Sequence, residues 1–347
     1  MFDSIHISYF RGIRLANINQ LKRVNLFFGR NNSGKSSVLE AILLLCGPSN
    51  PLLPLQINKL RGYFGVSEKD LSLDFYHMDS KDIFISCQAT SNASRSLRIY
   101  RTRLEAADIS IDDLKNDGSQ VLPSFHGIGI EFSRGDSQEV YTSNLIVHPD
   151  LAKMQIKSDE RYKEEFYAEY IPSNYMQITM QDKYAQIVKQ KGSQAIVDVL
   201  NCIEPRIHSI QLVGNDVMVD VGLSQLLPIN LLGDGIRKIF SILVTVAYCK
   251  NGILLIDEVD NGFHYTAMKV LWEAILQMAH ENNVQLFITS HNIDSVKGLL
   301  QACENSKEKQ EELSVYKLIK KDNDEILSLQ YDYHKLQYMI NQEMEIR

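Results

Sequence analysis

The sequence lacks the marks of several protein classes, and each absence removes a function. Its five cysteines (Cys46, Cys87, Cys202, Cys249 and Cys303) are odd in number, scattered and never spaced C-x-x-C. They read as reduced core residues rather than a disulfide framework or a zinc site. The first residues carry no basic segment followed by an apolar one, so no secretory signal is expected. The longest apolar stretch, Ile239 to Cys249, is too short to span a bilayer and holds Ser241 and Thr245. The expectation is a cytoplasmic protein with no membrane partner. Positive charge is not in excess: 36 Lys and Arg against 43 Asp and Glu give a net charge of −7, without the basic footprint of a nucleic-acid binder. No a/d heptads run over several turns, and there is no internal repeat, low-complexity tract or linker.

What is present begins at residue 29. Gly29-Arg30-Asn31-Asn32-Ser33-Gly34-Lys35-Ser36 is an unbroken G-x-x-x-x-G-K-S phosphate-binding loop. Val24 to Phe28 before it reads as a buried strand, and Ser37 to Leu45 after it has apolar residues at helical spacing, the context this motif needs. Glycines let backbone N–H groups approach phosphate oxygens, and the helix N-terminus adds partial positive charge. Lys35 is placed for the β- and γ-phosphates and the Ser36 hydroxyl for Mg²⁺.

A second apolar strand, Ile253 to Ile256, ends in Asp257-Glu258, where ligands bind in open α/β sheets. Asp257 would hold Mg²⁺ through water, and Glu258 would polarise the attacking water. A helix cap or surface turn is the other reading of this acidic pair. A third buried strand, Val284 to Thr289, ends in Ser290-His291, where the histidine would sense the γ-phosphate or else cap the next helix. Between the phosphate loop and the acidic pair, Gly233-Asp234-Gly235 opens a helix running to residue 249 with bare N–H groups for an anion; the alternative is an ordinary helix start capped by Asp234.

Elsewhere, Ile83 to Cys87, Leu97 to Thr102, Gly127 to Phe132 and Val140 to Val147 predict antiparallel hairpins. Residues 159–191 read as helical around Ile171-Pro172, and Lys157 to Glu165 as a short helical projection or a solvated helix face. Arg95, Arg98, Arg101 and Arg103 cluster on one segment, three of them sharing strand parity: a basic stripe or a solvated hairpin face.

The order phosphate loop, glycine-rich helix start, strand plus Asp-Glu and strand plus Ser-His resembles ABC-class ATPase heads. It is most similar to the group of RecF, Rad50, SMC and OLD proteins, and within it to the AAA15 branch of OLD-like ATPases. Further carriers are Phe10-Arg11-Gly12, Tyr170-Ile171-Pro172-Ser173, Ile203 to Ile207, Leu255 to His264 and Glu345-Ile346-Arg347. The resemblance implies one α/β ATPase head: a mixed sheet core with flanking helices and an antiparallel β and helical insertion. Its parts would be a P-loop lobe (1–50), the insertion (51–192) and a C-terminal lobe (193–347).

Residue by residue, the resemblance implies that Gly29, Asn31, Asn32, Ser33, Gly34, Lys35, Ser36 and Ser37 bind ATP, and that Ser36 and Asp257 hold Mg²⁺. Glu258 would be the base, His291 the switch histidine and Lys35 the catalytic cation. Gly233, Asp234, Gly235 and His264 would meet nucleotide across a head-to-tail homodimer, although Gly233 replaces the family's signature serine. Gln88 is a candidate for the Q-loop glutamine. The segment after His291 is too short for the nuclease domain of OLD proteins. The implied function is therefore control of a separate nuclease or toxin in anti-phage defence. The alternatives are a RecF-like factor that binds DNA in its ATP state, and a nucleotide-bound scaffold with little turnover.

Overall fold

The structure is a computed structural model. It describes residues 1–79, 81–89, 94–104, 125–135, 139–148, 153–164, 167–173, 180–262 and 267–342. The chain forms two compact units. The first is Met1–Asn19, Glu40–Glu165 and Lys320–Leu327; the second is Gln20–Leu39, Phe166–Ile319 and Ser328–Arg347. In chain order the strands are β1 (Phe2–Phe10), β2 (Ile13–Asn19), β3 (Val24–Phe28), β4 (Ile83–Ala89), β5 (Arg95–Leu104), β6 (Phe125–Arg134), β7 (Tyr141–His148), β8 (Lys153–Lys157), β9 (Ala168–Ile171), β10 (Ser209–Val213), β11 (Asp216–Asp220), β12 (Leu227–Pro228), β13 (Ile253–Ile256), β14 (Gln285–Ser290), β15 (Leu313–Lys320) and β16 (Glu325–Tyr331). The helices are α1 (Lys35–Cys46), α2 (Leu53–Leu60), α3 (Glu68–Ser72), α4 (Gln181–Lys189), α5 (Ser193–Ile203), α6 (Asp234–Tyr248), α7 (Met268–Glu281), α8 (Ile293–Cys303), α9 (Lys307–Glu311) and α10 (Tyr333–Asn341).

The first unit is an antiparallel sheet in the order β8-β7-β6-β5-β4-β1-β2. Period-two patterning builds it: Ile83, Ile85 and Cys87 of β4 and Leu97 and Ile99 of β5 all point into the core. The expected hairpins are therefore present. Among the described side chains, which do not include that of Arg103, the basic stripe is not. The parity was read correctly, but Arg95 and Arg101 lie on the inward face. Arg95 is buried, bonded to Glu164 at 2.6 and 2.9 Å and to the Leu45 carbonyl at 3.1 Å. Arg101 lies over the buried Phe75 ring and donates to the Met78 carbonyl at 2.7 Å. Arg98, on the other face, is held by Asp82 and Glu131.

Arg11 of the Phe10-Arg11-Gly12 motif anchors a second buried charge cluster in this unit. It donates to Glu40, to Asp74 at 3.0 Å and to Asn58 at 2.7 Å, while Arg61 meets Glu40 at 2.7 Å. Burial pushes the Asp74 carboxyl above its usual range despite Arg11.

The second unit holds a parallel sheet in the order β15-β3-β14-β13-β9. Every residue of β3, β13 and β14 is buried, which explains why these strands read as mainly apolar segments instead of alternating; the polar Asn25, Gln285, Thr289 and Ser290 are buried with the rest. Helices α4 to α8 supply the core around Trp272, Tyr184 and Phe240. The second unit also carries a small antiparallel sheet, β10-β11-β12, and parallel and antiparallel pairing together make this a mixed α/β fold, as expected.

Two local expectations fail. Ile171 lies on β9, not in a helix: Tyr170 pairs with Leu255 and Ile171 with Ile256, so pairing with the buried strand β13 overrides a charged, Tyr-rich composition. Residues 158–164 are not helical either; they form a turn in which Tyr162 packs edge-on against Phe132 at 4.7 Å. Among the described residues, no helix is long and apolar enough to cross a membrane.

Candidate functional site

The register of the parallel sheet assembles the site within the second unit. Phe27 and Phe28 of β3 pair with Thr289 and Ser290 of β14, and Ile288 pairs with Ile256 of β13. The three strand ends that carry the phosphate loop, Thr289 to His291 and Asp257-Glu258 therefore lie side by side.

The loop from Gly29 to Ser36 joins β3 to α1. Gly29 sits at φ 152°, where a Cβ would lie 2.6 Å from the Leu318 carbonyl oxygen, so only glycine fits. Asn32 and Gly34 also have positive φ, 65° and 90°. Lys35 is buried, and its ammonium donates to the Gly29 and Arg30 carbonyls at 3.0 Å each. Burial holds its pKa below the usual lysine value although Asp257, Glu258 and Asp260 pull upward. The Ser33 hydroxyl is buried without a partner, Asn31 and Asn32 are exposed, and Ser37 is half-buried. The Ser36 hydroxyl donates to Asp257 Oδ1 at 3.0 Å.

One hydroxyl organises the acidic pair. Thr289 Oγ1, fully buried, donates to Asp257 Oδ1 at 2.5 Å and accepts the Glu258 N–H at 2.7 Å. The Val259 N–H donates to the Thr289 carbonyl at 3.0 Å. Glu258 adopts φ 49°, a left-handed conformation that costs a non-glycine residue on the order of 1–3 kcal/mol and persists only when its surroundings fix it. Its carbonyl accepts from the Lys238 ammonium at 2.5 Å and from the Asn261 N–H at 3.0 Å. Tyr170 of β9 lies with its hydroxyl 3.5 Å from Asp257 Oδ2. Gln88 is exposed on β4 of the first unit.

His291 is exposed, with Nδ1 3.6 Å from Asp260 Oδ2, while the other Asp260 oxygen is buried without a hydrogen-bond partner. His291 is not the cap of α8; Asn292 is, accepting the Asp294 N–H at 2.9 Å. Nor does Asp234 cap α6. Gly233 occupies that position, and Asp234 in the first turn pairs with Arg237 at 3.0 Å. Gly233 and Asp234 are exposed and Gly235 half-buried. His264 lies outside the described residues.

Sequence reasoning left Thr289, Asp260, Tyr170 and Lys238 without roles. Lys238 carried a legible signal. It lies one and two turns before Ile242 and Val246, on the apolar stripe of α6, where an unpaired lysine is not tolerated.

A glycine-built loop with a buried lysine, a serine hydroxyl on a strand-end aspartate and a glutamate next to it defines a P-loop ATPase. Residues 24–296 match the family described as "AAA domain, putative AbiEii toxin, Type IV TA system", and the chain belongs to that family. The matched span runs from β3 into α8 and contains the whole site. An "ATP/GTP phosphatase" of Helicobacter pylori is 25% identical over 335 residues, covering 87% of this chain and 88% of the relative. An uncharacterized protein of Methanocaldococcus jannaschii is 28% identical over 179 residues, 50% of this chain and 72% of that protein. Solved structures give a loose likeness. An SMC head bound to the C-terminal winged-helix domain of ScpA aligns over 97% of this chain and 99% of its own at 13% identity and a TM-score of 0.48. A Pyrococcus furiosus SMC head bound to the C-terminal domain of ScpA aligns over 99% of both chains at 10% identity and 0.49.

Proposed function

We propose that this ATPase binds ATP and Mg²⁺ at Gly29–Ser36 and Asp257, hydrolyses it with Glu258 as the base, and uses the cycle to control a separate effector protein. The observation that carries the catalytic reading is the 3.0 Å bond from Ser36 to Asp257, with Glu258 next in the chain. A hydroxyl and a carboxylate at that distance are hard oxygen donors suited to Mg²⁺. Among the described residues no group of three or more His, Cys, Asp or Glu gathers to hold a metal. That fits a cation bound through one carboxylate, one hydroxyl and the substrate's own phosphates. The buried, unpartnered oxygens of Ser33 and Asp260 also leave polar capacity for ligand at the site. When bound, Mg²⁺ would neutralise charge on the β- and γ-phosphate oxygens.

Lys35 exchanges the Gly29 and Arg30 carbonyls for phosphate oxygens. Glu258 orients the attacking water and accepts its proton. His291, exposed beside Asp260, hydrogen-bonds the γ-phosphate. The Helicobacter pylori relative's name is consistent with release of phosphate from ATP. Exposed Gly233 and Asp234 at a helix start suit an anion supplied by a second copy, so the reading includes a head-to-tail homodimer with His264 at the junction.

The family's link to a toxin system favours an effector protein over DNA as partner, in an OLD-like defence setting. The internal pairing of Arg95, Arg98 and Arg101 leans the same way, because these side chains are already engaged within the chain. Mass measurement of the Glu258→Gln protein tests the assembly: dimers are expected with ATP and Mg²⁺ and monomers with ADP. A monomer in both states removes the composite site from the proposal.

A further inference from the structure

Lys238 is the one lysine that α6 buries, with 5% of its surface exposed. Its ammonium donates to the Glu258 carbonyl at 2.5 Å and to the Asn261 carbonyl at 3.3 Å. These two residues are the first and last of the turn closed by the Asn261 N–H on the Glu258 carbonyl at 3.0 Å. Three acids, Asp260 most strongly and then Glu258 and Asp257, act on the ammonium electrostatically. Thr289 holds the Glu258 N–H and Lys238 holds its carbonyl. A left-handed glutamate fixed at both its donor and its acceptor cannot relax to ordinary helical or extended backbone without breaking one of these bonds. Lys238 also sits one helical turn after Asp234, so the helix that opens with Gly233-Asp234-Gly235 is bonded directly to the Glu258 turn.

The geometry points to Lys238 as a positioning residue for hydrolysis, which clamps the Glu258–Asn261 turn and holds the Glu258 carboxylate where it orients the attacking water. This rests on Glu258 being the base. Lys238 does not reach nucleotide in this role; it acts through Glu258, and it ties that carboxylate to the helix start that would meet a second subunit. A buried lysine whose only task was stability would leave the balance between kcat and KM unmoved once the protein was folded.

The test compares wild type, Lys238→Met, Lys238→Arg, Glu258→Gln and the Lys238→Met/Glu258→Gln double variant, with kcat and KM for ATP and a thermal melt for each. Lys238→Met is expected to lower kcat about tenfold or more while KM for ATP stays within about twofold. Lys238→Arg, which retains the donors, recovers part of the rate. In the Glu258→Gln background the same Lys238→Met change alters the residual rate by less than about twofold, because the group it positions is gone. Wild-type kcat in Lys238→Met, or a raised KM with unchanged kcat, overturns the inference while leaving Glu258 as base. A double variant that falls below Glu258→Gln by as much as Lys238→Met falls below wild type also overturns it. Wild-type turnover by Glu258→Gln sinks the catalytic reading and this inference together. If Lys238→Met loses the native melt, Lys238→Gln, which keeps a shorter, uncharged amide donor, carries the same kcat and KM comparison: reduced kcat at unchanged KM supports the clamp, and wild-type kcat overturns it.

Discussion

Replacing Thr289 with valine removes one oxygen and almost no volume, yet it should damage both halves of the acidic pair. Thr289 is fully buried, and its hydroxyl serves the Asp257 carboxylate at 2.5 Å and the Glu258 N–H at 2.7 Å. An orphaned buried N–H costs on the order of 1–3 kcal/mol, and a hydrogen bond to a charged acceptor contributes about 1.5–3 kcal/mol. The Ser36 hydroxyl still serves the same Asp257 oxygen at 3.0 Å, which offsets part of the second term. The expected loss of stability is therefore about 2–4 kcal/mol. Glu258 is then held only through its carbonyl, and its left-handed backbone is free to relax. Relaxation recovers some stability and misplaces the carboxylate, so kcat should drop about 10- to 100-fold, roughly 1.4 to 2.7 kcal/mol of transition-state stabilisation. Urea unfolding and phosphate release measure the two effects, with Thr289→Ser as the control that keeps the hydroxyl and should stay near wild type. A Thr289→Val protein with an unchanged unfolding midpoint and unchanged kcat would refute the reasoning.

Two further perturbations address stability. Arg11→Met should cost about 3–5 kcal/mol, because it leaves Asp74 buried without its cation and Glu40 with Arg61 alone; calorimetry reads this, and a melt within a degree of wild type would contradict it. Alkaline pH should unfold the protein early. Burial raises the Cys87 thiol to about 11 and the Cys249 and Cys303 thiols to about 12, and raises the Tyr184 and Tyr316 hydroxyls to about 12. The unfolded chain therefore loses these protons first. The stability they contribute is full below pH 9 and is lost as pH rises through 9 to 12. Lys238, held down to about 8 by burial, and Lys35, also lowered by burial, act oppositely below 10.5, but they are two groups against three thiols and two phenols. The unfolding midpoint should fall steeply above pH 9, and a flat midpoint to pH 10.5 would contradict the assignment.

What the sequence revealed and what it hid divide along physical lines. The phosphate loop and the apolar strands ending in Asp257 and Ser290 were legible because their pattern is local: glycine placement, burial on both faces and a polar strand end. Strand β9 was not, since four residues in a charged, Tyr-rich setting become a strand only by pairing with β13. The arginines of β5 were read with the right parity and the wrong face, because parity alone does not say which side the core covers. Thr289 and Lys238 act on Glu258 across 31 and 20 residues of chain, through a hydroxyl and an ammonium whose partners on Glu258 are backbone groups. No spacing rule marks such partners; only the misfit of a lysine on an apolar helix face hinted at one.

Ser36, Asp257 and Glu258 are expected to work as one hydrolytic centre. Phosphate release and nucleotide retention by the Glu258→Gln protein, with ATP and Mg²⁺, test it most directly. ATP is expected to bind and stay bound while turnover falls to a small fraction of wild type. Hydrolysis at the wild-type rate would contradict it.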